Sequence, residues 1–318
     1  DSCRSLVGMG RPKGLPLQST WASVIWLALF FVPALSEVHV PYNTSIIPTS
    51  LPYPGGELVR TVVARERIKG GDNFLSIPFS EVLSTINFRS DRELCSHVLP
   101  LLLSIEDGAD FLMLLVLVLR EIKRGTPYGI LLDETDLSSM PVMLSEEEVV
   151  ERWRDEGEQV LGKVLARRLE ILKEVDIVYE IMGEAISRGL GGFDISLGDI
   201  RKSYVLVMSR NFGLEHTLPP LKEAGTRRIM AIWSDLMNHG SSPGSVNCEM
   251  EKSVWSCRTA REVQKGEEIL YHYGGDDYMP RHKWIVEYGF VPTGTGGVGG
   301  GGKRREEEEE KEEEGDKE

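Results

Sequence analysis

Nine apolar residues in a row, Phe111 to Leu119, lie between Asp110 and Arg120 with no glycine or proline among them. The run falls well short of the roughly 20 residues that a membrane-spanning helix needs, and charges resume directly after it, so it predicts a helix buried within a protein core. A helix of that kind must be surrounded by other elements, and 318 residues are enough to supply them. Further on, Ser145 and Glu148 have the spacing of a capping box, in which the serine hydroxyl and the glutamate each satisfy a backbone donor at a helix start. Apolar residues then recur at helical spacing, through Val149, Trp153, Val160, Val164, Leu169, Leu172 and Ile181, until Gly189. Residues from about 89 to 202 are therefore expected to be a helical insert whose role is packing.

On either side of the insert the pattern shortens. Leu58–Ala64 and Asn73–Ile77 read as strands around a polar turn containing Lys69, Gly70 and Gly71, which predicts a β-hairpin. After Ile200, the runs Tyr204–Met208, Val254–Cys257 and Glu268–Tyr273 read as further short strands. The expected fold class is α+β, β-rich in two halves (about 56–88 and 203–292) with the helical insert between them.

Cys248 and Cys257 flank a hairpin with Lys252 and Ser253 at its middle, so symmetric pairing puts the two sulfurs on facing strands. A disulfide is open to them in an oxidising compartment, and two free thiols are the alternative that the cysteine usage favours. The other cysteines are Cys3 and Cys95, and none forms a Cys-x-x-Cys pair, so no metal site is expected.

The two ends read differently from the body. Arg4, Arg11 and Lys13 precede an apolar run from Val24 to Leu35, with small residues at Ala34 and Ser36, the tripartite shape of a secretory leader over residues 1–36. That leader implies the secretory pathway or an organelle reached through it, and contact with a membrane only if it stays as an uncleaved anchor. Residues 37–55 read as a linker. From Gly294 the chain is Gly-rich and then strongly charged, with ten acidic and five basic residues from Lys303 onward, so residues 293–318 lack the apolar side chains that would offset ordering entropy. The formal net charge of −14 argues against nucleic acid as a partner, because phosphate binding needs concentrated Lys and Arg.

The chemistry is concentrated late in the chain. Four motifs follow one another: Ser209-Arg210-Asn211-Phe212; Asp235-Leu236-Met237-Asn238-His239; Lys265-Gly266-Glu267-Glu268-Ile269-Leu270-Tyr271-His272-Tyr273-Gly274; and Tyr288-Gly289-Phe290-Val291-Pro292. Each alone is weak, and their order and spacing carry the information. The series resembles the SET domain of protein methyltransferases, in particular the branch typified by Rubisco large-subunit lysine methyltransferase, in which a helical insert separates two SET halves. Val63-Ala64-Arg65-Glu66-Arg67-Ile68-Lys69-Gly70, then Leu75-Ser76-Ile77-Pro78, is similar to the first half of that family, and the likeness covers about Gly56 to Pro292. Where the family opens with a Gly-x-Gly turn, this chain has Val59-Arg60-Thr61. The helical domain that often follows the SET half has no counterpart in these residues.

The resemblance implies an S-adenosyl-L-methionine-dependent protein N-methyltransferase acting on a lysine of a non-histone protein, with histidine as the other acceptor. A catalytically inactive, partner-binding SET module is the alternative. It also implies that Asn238 and His239 lie against the cofactor, that Arg210 sits on its carboxylate side, and that Tyr273 is the active-site tyrosine, which also meets the cofactor at its sulfonium. Asp235 and Tyr288 would face the substrate. Tyr288, Phe212 and Trp284 are candidate walls for an aromatic channel, Trp284 being read as core. These residue types suit methyl transfer, which requires alignment and exclusion of water more than a strong base. A lysine with an ordinary pKa near 10.4 must react as the neutral amine, and an apolar channel favours that form.

Overall fold

The computed structural model describes residues 45–52, 58–103, 108–191, 194–213, 228–240, 246–251, 253–273 and 279–292. The leader-like segment and the acidic tail lie outside the described residues. The chain begins with strands β1 (Ile46–Pro52), β2 (Leu58–Ala64), β3 (Asn73–Pro78) and β4 (Leu83–Ser84). Eight helices follow: α1 (Thr85–Ser90), α2 (Arg92–His97), α3 (Leu99–Leu102), α4 (Ala109–Arg124), α5 (Pro127–Asp133), α6 (Glu146–Arg152), α7 (Glu158–Ser187) and α8 (Leu197–Arg210). Strands then resume with β5 (Phe212–Gly213), β6 (Arg228–Met230), β7 (Asn238–His239), β8 (Val246–Glu251), β9 (Val254–Thr259) and β10 (Leu270–Tyr271), before a last helix, α9 (Arg281–Tyr288). The architecture is α+β, with small sheets and one long inserted helix, α7. No helix among the described residues is long and apolar enough to cross a membrane.

Two helical elements fall where the sequence places them. The capping box at Ser145 and Glu148 opens α6, and all nine residues of the Phe111–Leu119 run fall inside α4. Leu114, Leu115, Val116, Val118 and Leu119 are completely buried there, each contributing about 1.5–3 kcal/mol relative to exposure. They pack with Val164, Val175 and Val178 of α7 and Tyr204 and Val207 of α8 in one apolar cluster. A second cluster joins the sheets around Phe74, Leu75, Ile77, Trp233 and Trp255. Helix α5 reaches both: Leu132 belongs to the helical cluster and Leu131 to the sheet cluster. Leu169, one of the expected packing positions on α7, is instead exposed.

Other expectations fail as well. Strands β2 and β3 do not form a hairpin with each other: β2 pairs antiparallel with β1 along its whole length, and β3 pairs with β9. Eight residues separate β2 from β3, too many for a tight turn, and β3 buries Leu75 and Ile77 by pairing with β9, which carries Trp255 and Cys257. The Tyr204–Met208 run is helix, inside α8. Ser203 to Val207 are all buried, and a helix buried on every side cannot be told from a buried strand by periodicity. The decisive local signal is the Ser196–Asp199 capping box, which starts α8. The β8–β9 hairpin is as expected, with Cys248 opposite Cys257 in register. The structure joins these two sulfurs in a disulfide, against the expectation of free thiols.

Candidate active site

The expected site residues sit on the segment from β6 to β7, on the C-terminus of α8, and on the chain around β10 and α9. After β6, the backbone turns sharply at Trp233, whose φ of 72° and ψ of −42° are unusual for a residue with a side chain. Neighbouring bonds hold the turn. The Ser234 hydroxyl donates to the Ala231 carbonyl at 2.7 Å and accepts from the Trp255 indole at 3.1 Å. The residue after this anchor is Asp235.

Asp235 is 4% exposed. Its Oδ2 accepts from the Tyr128 hydroxyl of α5 at 2.9 Å, and its backbone carbonyl accepts from Nη1 of Arg210, at the end of α8. Oδ1 of Asp235 and Nε of Arg210 are buried with no partner among the described residues. Burial pushes the Asp235 carboxyl up to about 6, against the opposing pull of Arg210, the Tyr128 bond and Arg60. The Tyr128 phenol is raised well above its ordinary value by burial and by the neighbouring carboxylate, so it is a donor.

Two residues beyond Asp235, the Met237 carbonyl accepts from the Tyr273 hydroxyl at 2.7 Å. Strand β7 then runs parallel to β10, with Asn238 opposite Leu270 and His239 opposite Tyr271. The crossing is close: a Cβ on Gly240 would stand 2.8 Å from that of Leu270. This pairing brings together residues more than thirty positions apart. The Asn238 amide donates to Glu268 at 3.0 Å, and Nδ1 of His239 accepts from the Tyr273 backbone N–H at 3.3 Å.

An aromatic group surrounds these polar atoms. The Tyr273 ring lies 4.8 Å from Tyr288 and 5.4 Å from His239, while Trp284 lies 4.8 Å from His239 and 5.1 Å from Tyr288. Burial, then the adjacent Glu287 carboxylate, raises the pKa of the Tyr288 phenol. Helix α9 ends at Gly289, where φ is 76° and any side chain would collide with Ser139 and Met140, so the glycine lets the backbone pass close to that segment. Phe290 joins the group at 6.2 Å from His239.

The structure thus brings all six expected residues, Arg210, Asp235, Asn238, His239, Tyr273 and Tyr288, into one connected arrangement. Phe212 does not join the Tyr273–Tyr288 wall. It is buried against Trp255 at 5.2 Å and Tyr271 at 5.3 Å. Trp284 is buried, as expected of core, and also borders the aromatic group. Sequence reasoning missed Tyr128, Arg60 and Glu268. Arg60 lies on β2, where its side chain donates to the Leu131 carbonyl of α5 at 2.7 Å and pairs with Glu134 at 3.2 Å. Glu268 lies within the Lys265–Gly274 motif and Arg60 at the Val59–Thr61 segment, but neither pattern points to these contacts, and no local motif marks Tyr128. A cleft of about 590 Å³ borders the turn at Trp233, lined by Asn87, Arg120, Thr126, Tyr128 and Trp233 among others, and by none of the six expected residues. The described residues contain no cluster of His, Cys, Asp and Glu able to hold a metal ion.

The family profile of the SET domain matches residues 59–274. Among solved structures, the fold is similar to that of Rubisco LSMT bound to AdoMet, with a TM-score of 0.58 and 19% identity over 80% of this chain and 54% of that one. It is similarly close to the SET domain of LSMT bound to methyl-lysine and AdoHcy, with a TM-score of 0.59 and 17% identity over the same shares. The chain therefore spans about half the length of the solved chains it matches. A comparison with curated proteins finds no match.

Proposed function

This chain belongs to the SET domain family, and on that premise we propose that it is a protein-lysine N-methyltransferase using S-adenosyl-L-methionine. A place in the branch typified by the Rubisco large-subunit enzyme is part of the proposal, supported by the shared fold and the helical insert. The observation that carries the function is the convergence of Asn238, His239, Tyr273 and Tyr288 across the parallel β7–β10 pair.

The residues suit the cofactor. The buried Nε–H of Arg210, with no partner among the described residues, is a donor fitted to a carboxylate, and an unmet buried donor is costly until an acceptor arrives. Arg210, Asn238 and His239 would hold the molecule. S-adenosyl-L-methionine supplies a methyl group already activated on a sulfonium sulfur. The protein's share is to present a neutral amine in line and to keep water away. Burial disfavours charge on the Tyr288 phenol, and the same surroundings push a lysine ammonium toward the neutral form. The Tyr273 hydroxyl donates to the Met237 carbonyl, and its lone pairs can accept from the amine, which orients the nucleophile without strong basicity.

One observation favours the non-catalytic alternative. Val59, Arg60 and Thr61 form a regular ladder with Leu51, Ser50 and Thr49 of β1, where a Gly-x-Gly turn would leave bare backbone. Calorimetry of S-adenosyl-L-methionine binding to the full chain separates the two readings. The methyltransferase reading expects saturable binding that is lost in Asn238→Ala and largely kept in Tyr273→Phe. A folded wild-type protein that does not bind leaves the partner-binding module.

A further inference from the structure

We propose that Tyr128, on a helix of the insert, is a positioning residue for the cofactor site, its hydroxyl fixing the Asp235 carboxylate and with it the turn that leads to Asn238. The inference rests on the methyltransferase reading and extends it to a segment expected only to pack.

The bond joins residues 107 positions apart, both buried, and it falls two residues after Trp233, the one residue other than glycine with positive φ among the described residues. Asp235 lies between two donors, Tyr128 on its side chain and Arg210 on its carbonyl. Without the hydroxyl, Oδ2 would lose its side-chain donor, and Oδ1 already lacks a partner among the described residues. The segment that follows carries Met237, which receives the Tyr273 hydroxyl, and Asn238. A shift at Asp235 therefore reaches both within three residues.

Helix α5 is placed to act as a fixed support. Thr126 caps its start by accepting from Gly129 N–H at 3.0 Å. Gly129 packs so tightly on α4 that an added Cβ would stand 1.9 Å from the Glu121 carbonyl. Near the other end, Arg60 donates to the Leu131 carbonyl. Leu131 and Leu132 are buried in different clusters, so the helix bridges the helical and sheet cores. Tyr128 is thus held from both sides while its oxygen reaches the site.

The groups facing Asp235 are Tyr128 from α5, Arg210 from α8 and Arg60 from β2, with Glu121 of α4 acting on Tyr128. The Tyr128 bond favours the ionised carboxylate, so its loss moves Asp235 titration upward from about 6.

The test is S-adenosyl-L-methionine binding by calorimetry between pH 5 and 8 for the full chain, Tyr128→Phe and Leu132→Ala. Tyr128→Phe is expected to weaken binding at pH 7 by about tenfold and to move the midpoint of its pH dependence upward. Leu132→Ala loosens the same helix without touching Asp235, and is expected to lower stability while leaving the midpoint unchanged. Tyr128→Phe binding with wild-type affinity and midpoint would overturn the positioning role alone. Absence of binding by the folded wild-type chain would overturn the methyltransferase reading, and this proposal with it.

Discussion

Replacing Asp235 with asparagine should stabilise the protein at neutral pH while impairing its site. The carboxyl is buried and its pKa is raised from 3.8 to about 6, because the loss of hydration outweighs the help of Arg210, Tyr128 and Arg60. The native state therefore holds this proton more tightly than the unfolded chain does. Stability from this group is greatest below the unfolded value near 3.9, falls as the pH rises to about 6, and is level above that. The rise from 3.8 to about 6 corresponds to roughly 3 kcal/mol, the penalty that the charged form imposes at pH 7. Asparagine keeps an oxygen for the Tyr128 hydroxyl and carries no charge. Urea unfolding of wild type and Asp235→Asn at pH 7 and pH 4.5 should show the variant more stable at pH 7, by up to about 3 kcal/mol, with the difference shrinking at pH 4.5. A variant that is less stable at both pH values would refute the reasoning, by showing that Arg210 and Arg60 compensate the buried charge in full. The same variant should bind S-adenosyl-L-methionine more weakly, the exchange of stability for function expected where a site keeps a costly charge.

Two substitutions probe the insert itself. Gly129→Ala, with no atom in the site, should cost about 3 kcal/mol or more, since a Cβ 1.9 Å from the Glu121 carbonyl forces α5 away from α4; thermal melting close to wild type would show that the helices can part without loss. Arg120→Met should cost about 3 kcal/mol in urea unfolding, because the buried guanidinium is paired with Asp91 and its removal leaves that carboxylate without its closest cation; Asp91→Asn in the same chain should recover part of the loss, and strictly additive effects would refute the pairing.

Much of the secondary structure was legible because it is encoded locally. The Phe111–Leu119 run, the Ser145 capping box and the two-residue connection between β8 and β9 each act within a few residues, and each produces the element expected. The Tyr204–Met208 run misled because Val205 and Val207 favour strands while complete burial erases the helical period; the Ser196 capping box held the answer about two turns upstream of that run. The disulfide was legible as a pairing and not as a redox state, since register sets the distance between Cys248 and Cys257 but composition favoured thiols.

The six expected site residues could be singled out because their order and spacing resemble a family pattern, and the sequence alone determined which side chains are candidates for the chemistry. What only the tertiary structure decided is how they are held. Pairing β3 with β9 instead of β2, running β7 parallel to β10, and setting Tyr128 against Asp235 are contacts between distant segments. Such contacts are selected by how well whole faces bury together and by whether each buried polar atom finds a partner, conditions that no short window of sequence contains.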